Sequence, residues 1–531
     1  MVNSKKKRKL SLLLCGAVIA SCISVPTGSV NAASGVAINS TNFPDSNFRK
    51  VLSAQFDKNS DGVLQASELS KITTLNFATN SYMYSGDNAV SDVKSIKGIE
   101  KLSSLKHVAI GDYDEILKQK TLDFSSNKNL TKISISGCNK VTKINLSGLK
   151  KLNTLETFGA NSLTTITFKN NTALKNLSMY NSSKYSKIDL SKLPALENCT
   201  LCSTGNKSLD VTKNKKLKDI NCTYSKLSSF KSGSSNTKLA AVYVYSNPIK
   251  SLDVSKLKNL KKVSVADTKL SGLSKLKVYK KSNITALSVR GLGLKTLKNY
   301  GYDNLTFLDC SNNKLTSVPL TSKFQTLYCY SNKLSKFDVS KGTKLKELSV
   351  ANNSIKSFDV SKNSKLQYLD ISNNGMTSVN FGDNSNIKNL FASDNNLKSI
   401  GTEKLTKLQY FYLSRNPFTK LTFNSDKIQY ASFYDFPNLQ TVDLEKCKNS
   451  EHISVLYNVA VVLPEGEYTF EYRKFGESLG RSYSYSTESR TISGRITLED
   501  LTNNTGLVNS SPYKFTNNST GKEMYVQFDF R

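Results

Sequence analysis

One phrase recurs along most of this chain. Between Ile72 and Tyr434 the pattern L-x-x-L-x-L-x-x-N returns about every 21 residues, and it is cleanest in "LQYLDISNN", Leu366 to Asn374. A fixed period of that length selects a solenoid, because one repeat cannot bury its own apolar face and must stack on its neighbours. The motif starts at residues 72, 105, 130, 152, 174, 196, 217, 239, 260, 284, 305, 324, 345, 366, 387, 408 and 428. From 130 to 428, fourteen steps cover 298 residues, or 21.3 per coil. A coil that short has no room for a long helix, so its outer side must be extended or tightly turned.

Within each motif the residues alternate between faces, as a strand requires, so the leucines point into the core and the third, fifth and seventh positions face solvent on the concave side. The asparagine that follows, as at Asn247, Asn313, Asn332, Asn353, Asn395 and Asn416, can satisfy backbone groups at the turn in coil after coil. The outer segment carries its own phrase, "LDVSK", at Leu252 to Lys256, with variants at Phe337 to Lys341, Phe358 to Lys362 and Val442 to Lys446. The fold class expected is a leucine-rich-repeat solenoid of short coils with a parallel β-sheet on its concave face. Residues 72 to 447 resemble a bacterial leucine-rich-repeat domain in the style of internalin-type surface proteins. The early coils, near Tyr113 and Ala160, depart from the asparagine rule, which leaves their register less secure. Such scaffolds bind proteins, peptides and glycans alike, so the repeat specifies fold far more than function.

Ahead of the repeats, "DKNSDGVLQASE", Asp57 to Glu68, fits D-x-[DN]-x-[DN]-G-x5-E at every constrained position. Calcium wants six or seven oxygens. The loop offers them from Asp57, Asn59, Asp61, the carbonyl of Val63, a water held by Gln65, and both oxygens of Glu68, with Gly62 at the sharp turn. Apolar residues at Phe48, Val51, Leu52 and Phe56 make a helical stripe before the loop, and Gln65 to Ile72 starts a helix after it. The segment resembles a single EF-hand, and an EF-hand placed before a segment like "SIKGIEKLSSL", Ser95 to Leu105, is similar to an arrangement in secreted proteins of Gram-positive bacteria. The resemblance implies calcium-supported stability, with the helix pair over residues 34–71 covering the core that the first coil would otherwise expose.

Reading the outward positions in order finds aromatic rings where a plain scaffold carries small polar residues. Tyr243 and Tyr245 share a strand, as do Tyr328 and Tyr330. Towards the end of the repeats Tyr368, Phe391, Tyr410 with Tyr412, and Tyr430 with Tyr434 follow in successive coils. With strands about 4.8 Å apart these would build one patch roughly 15 to 20 Å long. Tyrosine joins a large apolar area to a polar tip at small entropic cost, as binding sites for proteins and sugars need. Aromatic ladders also stabilise sheets, and that plainer role stands beside the first. Asp309 and Asp370 are polar neighbours able to orient a ligand.

No catalytic constellation emerges: the two histidines, His107 and His452, lie far apart in the chain and read as surface residues, and no nucleophile and base, zinc spacing or phosphate loop is present. The chain is therefore expected not to be an enzyme.

Lys5 to Lys9, the apolar stretch Leu10 to Val25, Pro26 and "VNAA" over Val30 to Ala33 have the layout of a secretory signal peptide, residues 1–33. A rival reading takes Ile19 to Cys22 as a lipobox that leaves Cys22 as a lipidated N-terminus. No other apolar run reaches the 18 or more residues of a membrane span. The formal charge of +33 becomes +28 once the leader's five cations are removed. A field of that size attracts polyanions such as acidic cell-wall polymers, and export argues against a specific nucleic-acid partner.

Seven cysteines remain beyond the leader, an odd number without tight spacing. Cys199, Cys222, Cys310 and Cys329 occupy inward positions and read as small core hydrophobes, a bond between Cys310 and Cys329 being sterically conceivable. After residue 449 the period stops, and β-rich segments over 450–531 suggest a small β-sandwich-like domain that caps the last coil. The domains expected are thus 1–33, 34–71, 72–449 and 450–531. The whole describes a secreted or wall-associated recognition protein with a protein or glycan on its concave face; the alternative is a structural spacer held by charge alone.

Overall fold

The computed structural model describes residues 35–78, 93–111, 117–279, 284–297, 304–433, 435–450, 452–456, 460–475, 485–496 and 513–529. Residues 1–34, where the signal peptide is expected and which include Cys15 and Cys22, lie outside the described residues, as do Tyr113 and Tyr434.

The repeats form a parallel β-solenoid of the leucine-rich-repeat kind. Sixteen parallel strands, from Thr74–Ala78 to Tyr410–Tyr412, make one sheet along the inner side. Strict register stacks equivalent residues: Leu348, Leu369 and Leu390 pair in succession and are fully buried. The outer side carries only short ladders, such as Thr121–Asp123 with Lys143–Asn145 and Thr165–Thr167, and Ser357–Asp359 with Ser378–Asn380. The expectation of an extended outer side therefore holds.

Polar side chains do the stitching. Asn353 shows the pattern: its Nδ2 donates to the carbonyls of Cys329, Val350 and Ala351 at 3.1, 2.9 and 3.1 Å, while its Oδ1 accepts from Leu334 N–H at 3.0 Å. The residue before each asparagine adopts a left-handed backbone, as at Ser246, Asn312, Ser331, Asn352, Asn373, Asp394 and Arg415. Early coils reach the same turn with Gly137 and Gly159 in the left-handed position. In other coils a hydroxyl replaces the amide: Ser225 Oγ donates to Leu201 O at 2.8 Å, and Thr268 Oγ1 to Val265 O at 2.8 Å. At Cys138 and Ala160 the preceding glycine alone makes the turn, so the asparagine is missing there while the coil is kept.

A second ladder, absent from the sequence reading, runs along the outer turns. Asn214 Nδ2 bonds the carbonyls of Leu190 and Leu193, both at 2.9 Å, and Asn363 Nδ2 those of Val339 and Gly342, both at 2.9 Å. The "LDVSK" phrase also has a physical reason. Asp253 Oδ1 accepts from the N–H and the hydroxyl of Ser255 at 3.0 and 2.6 Å, closing the outer turn, and these bonds hold its carboxyl below the usual range.

Among the described residues the C-terminal strands join the last coils instead of pairing only with one another. They make one sheet whose order is Lys420–Thr422, Thr441–Asp443, Ala460–Phe475, Tyr513–Asn517, Glu523–Asp529, His452–Leu456 and Tyr430–Phe433, with Tyr485–Ile496 pairing Ala460–Phe475. This sheet starts on the outer side of the last coils, crosses the end of the rod and returns to the inner side, burying Val461, Leu463, Phe515 and Val526. The chain thus continues the solenoid's own ladders across residue 450.

All seven described cysteines are buried and free. Cys310 and Cys329 stand at one position in successive coils as unbonded core residues, and burial pushes both thiols well above their usual range. No described helix is long and apolar enough to cross a membrane.

Candidate functional site: the two ends of the inner face

At the N-terminal end the helix Ser46–Gln55 is capped by Asp45, whose Oδ1 accepts from Asn47 and Phe48 N–H, both at 2.9 Å. Its Oδ2 accepts from Lys94 and Ser95 at 2.9 and 3.2 Å, which ties the helix to the segment leading into the second strand. Phe43, Phe48 and Phe77 pack edge to face, so the helix lies directly on the first coil. Gly98, at φ +101, is where this cap presses closest: a Cβ there would meet Asn42 O and Phe43 at 2.4 Å.

The loop from Asp57 to Glu68 is closed by Val63–Leu64 pairing antiparallel with Val36–Ala37. The second helix is a single turn, Ala66–Leu69, shorter than the run to Ile72 that the sequence suggested; the chain turns away to enter its first strand at Thr74. Asp57 accepts from Asp61 and Gly62 N–H at 3.2 and 3.0 Å, Asp61 Oδ1 from Val63 N–H at 2.8 Å, and Glu68 from Lys58 and Gln65 N–H at 2.6 and 2.9 Å. Asn59 Nδ2 and Gln65 Nε2 both donate to Asp61 Oδ2, at 2.9 and 3.0 Å. The Gln65 and Val63 bonds lower the carboxyl pKa of Asp61, and the Gln65 and Lys58 N–H groups lower that of Glu68. Asp57 and Glu68 are buried and face no lysine or arginine among the described ion pairs. Among the described residues no group of three or more His, Cys, Asp or Glu side chains is arranged to hold a metal ion; these carboxylates are turned onto the loop's own N–H groups.

At the other end, the aromatic residues divide into two stacks. Tyr368, Phe391 and Tyr412 follow one another with ring centroids 5.2 Å apart, the second pair nearly parallel at 9°. Tyr430 belongs to a different stack: it lies 4.8 Å from His452 at 10°, and His452 lies 5.1 Å from Tyr525 at 14°. His452 and Tyr525 were not among the expected aromatic neighbours, because the repeat period ends before them; only the pairing of Tyr430–Phe433 with His452–Leu456, and of that strand with Glu523–Asp529, brings them together. Tyr410 and Tyr412 are each 61% exposed and Tyr430 is 65% exposed.

Other expected polar neighbours are already engaged. Asp309 accepts from Ser288 and Ser311 hydroxyls at 3.0 and 2.5 Å, and Asp370 from Ser349 Oγ at 3.0 Å and Ser372 N–H at 3.1 Å. Both serve the sheet. Tyr328 donates to Glu347 at 2.5 Å and packs edge to face on Phe307, and burial with this bond raises its pKa.

No family model matches the chain, and no curated protein matches it. Among solved structures, it is similar to the functional domain of InlJ from Listeria monocytogenes, described as including a cysteine ladder, at 20% identity and a TM-score of 0.44, over 95% of this chain and 100% of that one. It is also similar to the internalin InlF of Listeria monocytogenes, at 19% identity and a TM-score of 0.38, over 72% of this chain and 99% of that one. A third is YopM, a leucine-rich effector protein of Yersinia pestis, at 16% identity and a TM-score of 0.45, over 55% of this chain and 85% of that one.

Proposed function

We propose that this chain is a secreted recognition protein that binds a protein or glycan through the C-terminal half of its concave face. One observation carries the reading. Of the six exposed large apolar side chains among the described residues, three (Tyr410, Tyr412 and Tyr430) sit on the inner strands of two consecutive coils, the first two in register with Tyr368 and Phe391. Tyr412 and Tyr430 each stack on one neighbouring ring, yet all three tyrosines leave more than half of their area in water, where tyrosine contributes most to a partner's interface. Changing Tyr410, Tyr412 and Tyr430 together to serine should abolish binding of the full chain to its target surface while leaving its melting temperature within a few degrees. Unchanged binding would remove the site.

Calcium belongs to the same proposal as a support of the N-terminal cap. Asp57, Asn59, Asp61, the Val63 carbonyl, Gln65 through a water, and Glu68 would hold it. What supports this is the complete ligand pattern in one loop, with two buried carboxylates that make no ion pair with a basic side chain among the described residues. The ion would supply positive charge and lock the loop against the helix; it takes no part in ligand chemistry.

A second reading rests on a separate observation. Lys323, Lys344, Lys365, Lys407 and Lys427 hold one position in their respective coils and are all exposed, forming a cationic row along the edge where the inner strands begin. Such a row suits acidic cell-wall polymers, and binding through it should fall steeply with salt and ignore the tyrosine changes.

A further inference from the structure

The inner ladder is broken at one step. At each preceding step two N–H groups of one coil share a carbonyl of the coil before: Lys388 and Asn389 bond Gln367 O at 2.8 and 3.0 Å, and Gln409 and Tyr410 bond Lys388 O at 2.8 and 3.0 Å. By the same rule Gln429 and Tyr430 should bond Gln409 O. Among the described residues they do not, and the sixteen-stranded sheet ends at Tyr410–Tyr412 while the next inner strand, Tyr430–Phe433, belongs to the C-terminal sheet. Further along, the coils rejoin, with Arg415 N–H on Asp435 O at 2.7 Å, and on the outer side with Gln440 N–H on Thr419 O at 2.9 Å.

The core beside this step is aromatic. Phe411 stands in register with Leu390, and it packs with Phe423 at 4.7 Å and Phe433 at 5.6 Å. Three phenylalanines thus meet between these two coils, beside the step where the inner ladder is missing. At that step lies a wedge-shaped groove of ≈ 590 Å³ lined by Gln409, Tyr410, Asp426, Lys427, Gln429, Tyr430 and Asn449. That volume is within the range of small-ligand sites, roughly 300 to 1,000 Å³.

We infer that this seam is a subsite for an N-acetylated oligosaccharide. The inference rests on the concave face being a recognition surface and names the chemistry one part of it accepts. The faces of Tyr410 and Tyr430 flank the groove and offer flat apolar area to a sugar ring. Among the described residues Gln409 O and the N–H groups of Gln429 and Tyr430 make no backbone bond across this step, and an acetamido group carries one N–H and one C=O to match them: its N–H can donate to Gln409 O, and its carbonyl can accept from Gln429 or Tyr430 N–H. The amides of Gln409 and Gln429 stand at the rim for hydroxyls. Asn449 is already held, donating to Asp426 O at 2.8 Å and accepting from Lys522, so it shapes the wall. An extended peptide fits less well, because the closed step at Arg415 and Asp435 stops a strand from running through.

Calorimetric titration of the full chain with N-acetylglucosamine oligomers of one to six units tests this, with glucose oligomers of equal length and an extended hexapeptide as controls. The acetylated series should bind, glucose oligomers at least tenfold more weakly. Gln429→Ala, at an exposed position that leaves the core intact, and Tyr430→Ala should each lower affinity tenfold or more. Hydrogen exchange at the Gln429 and Tyr430 amides should slow in the complex. The pair Phe391→Ser with Tyr412→Ser should leave oligosaccharide affinity within twofold, even where it abolishes binding to the larger target, which separates failure of the seam from failure of the concave face. Absence of binding by any acetylated oligomer, saturation by the peptide instead, or indifference to Gln429→Ala would each overturn the inference.

Discussion

The two ends of the rod face the same problem and close in different ways. The N-terminal end is covered by a local unit, a helix and a loop contributed by residues 35–72, laid onto the first coil through Phe43, Phe48 and Leu52 and pinned by Asp45. At the C-terminal end the described strands extend both the outer and the inner ladder and join them across the end. A local cap can loosen without disturbing the coils. A woven end cannot, since any strand removed from it opens both faces.

The largest effect should come from emptying either cap. Phe48→Ala and Phe515→Ala each remove a fully buried ring and should cost about 3–5 kcal/mol. Hydrogen exchange should separate them: the first should loosen residues 36–77 alone, the second both 420–443 and 452–456. Equal spread in both variants would break the distinction between the ends. Next, Asn374→Ala in the middle of the rod leaves the N–H of Ile355 and several carbonyls unsatisfied and should cost about 2–3 kcal/mol, read from the denaturation midpoint.

A smaller effect belongs to the loop. Asp61 and Glu68 have depressed carboxyl pKa values, so their contribution is present above the ordinary carboxylate range and is lost as pH falls through it. Exchange protection of residues 36–77 should drop on acidification, Glu68→Gln should flatten that dependence, and added calcium should raise protection in the parent chain but not in Glu68→Ala. Absence of any calcium effect in the parent would retire the metal. The smallest change expected is Arg415→Ala. Its guanidinium lies 2.5 Å from Asp394 and 3.6 Å from Asp435, but it is more than half exposed, so the denaturation midpoint should hardly move.

The solenoid was legible because its period is written in residues that must face inward: Leu348, Leu369 and Leu390 announce both strand and register. What escaped was set by chain outside the period. Tyr525 joins the stack only through the pairing of two segments 73 residues apart, which no spacing rule reaches, whereas His452 follows Tyr430 by 22 residues and was hidden because Ser450 stands where the motif asks for leucine. The seam escaped for another reason. Phe411 satisfies the motif as well as leucine does, and only its packing with Phe423 and Phe433 shows the aromatic cluster beside the missing step. The outer asparagine ladder could have been found, since Asn214, Asn236, Asn363 and Asn384 recur three positions before a core leucine or isoleucine.

Each coil meets only the coil before and the coil after, and each carries its own left-handed turn. The length of the molecule is therefore an independent variable. A unit such as residues 345–365 could be excised, or a copy inserted, with Leu366 taking the place of Leu345, and the reach of the rod would change by one strand spacing while both closures stayed as they are.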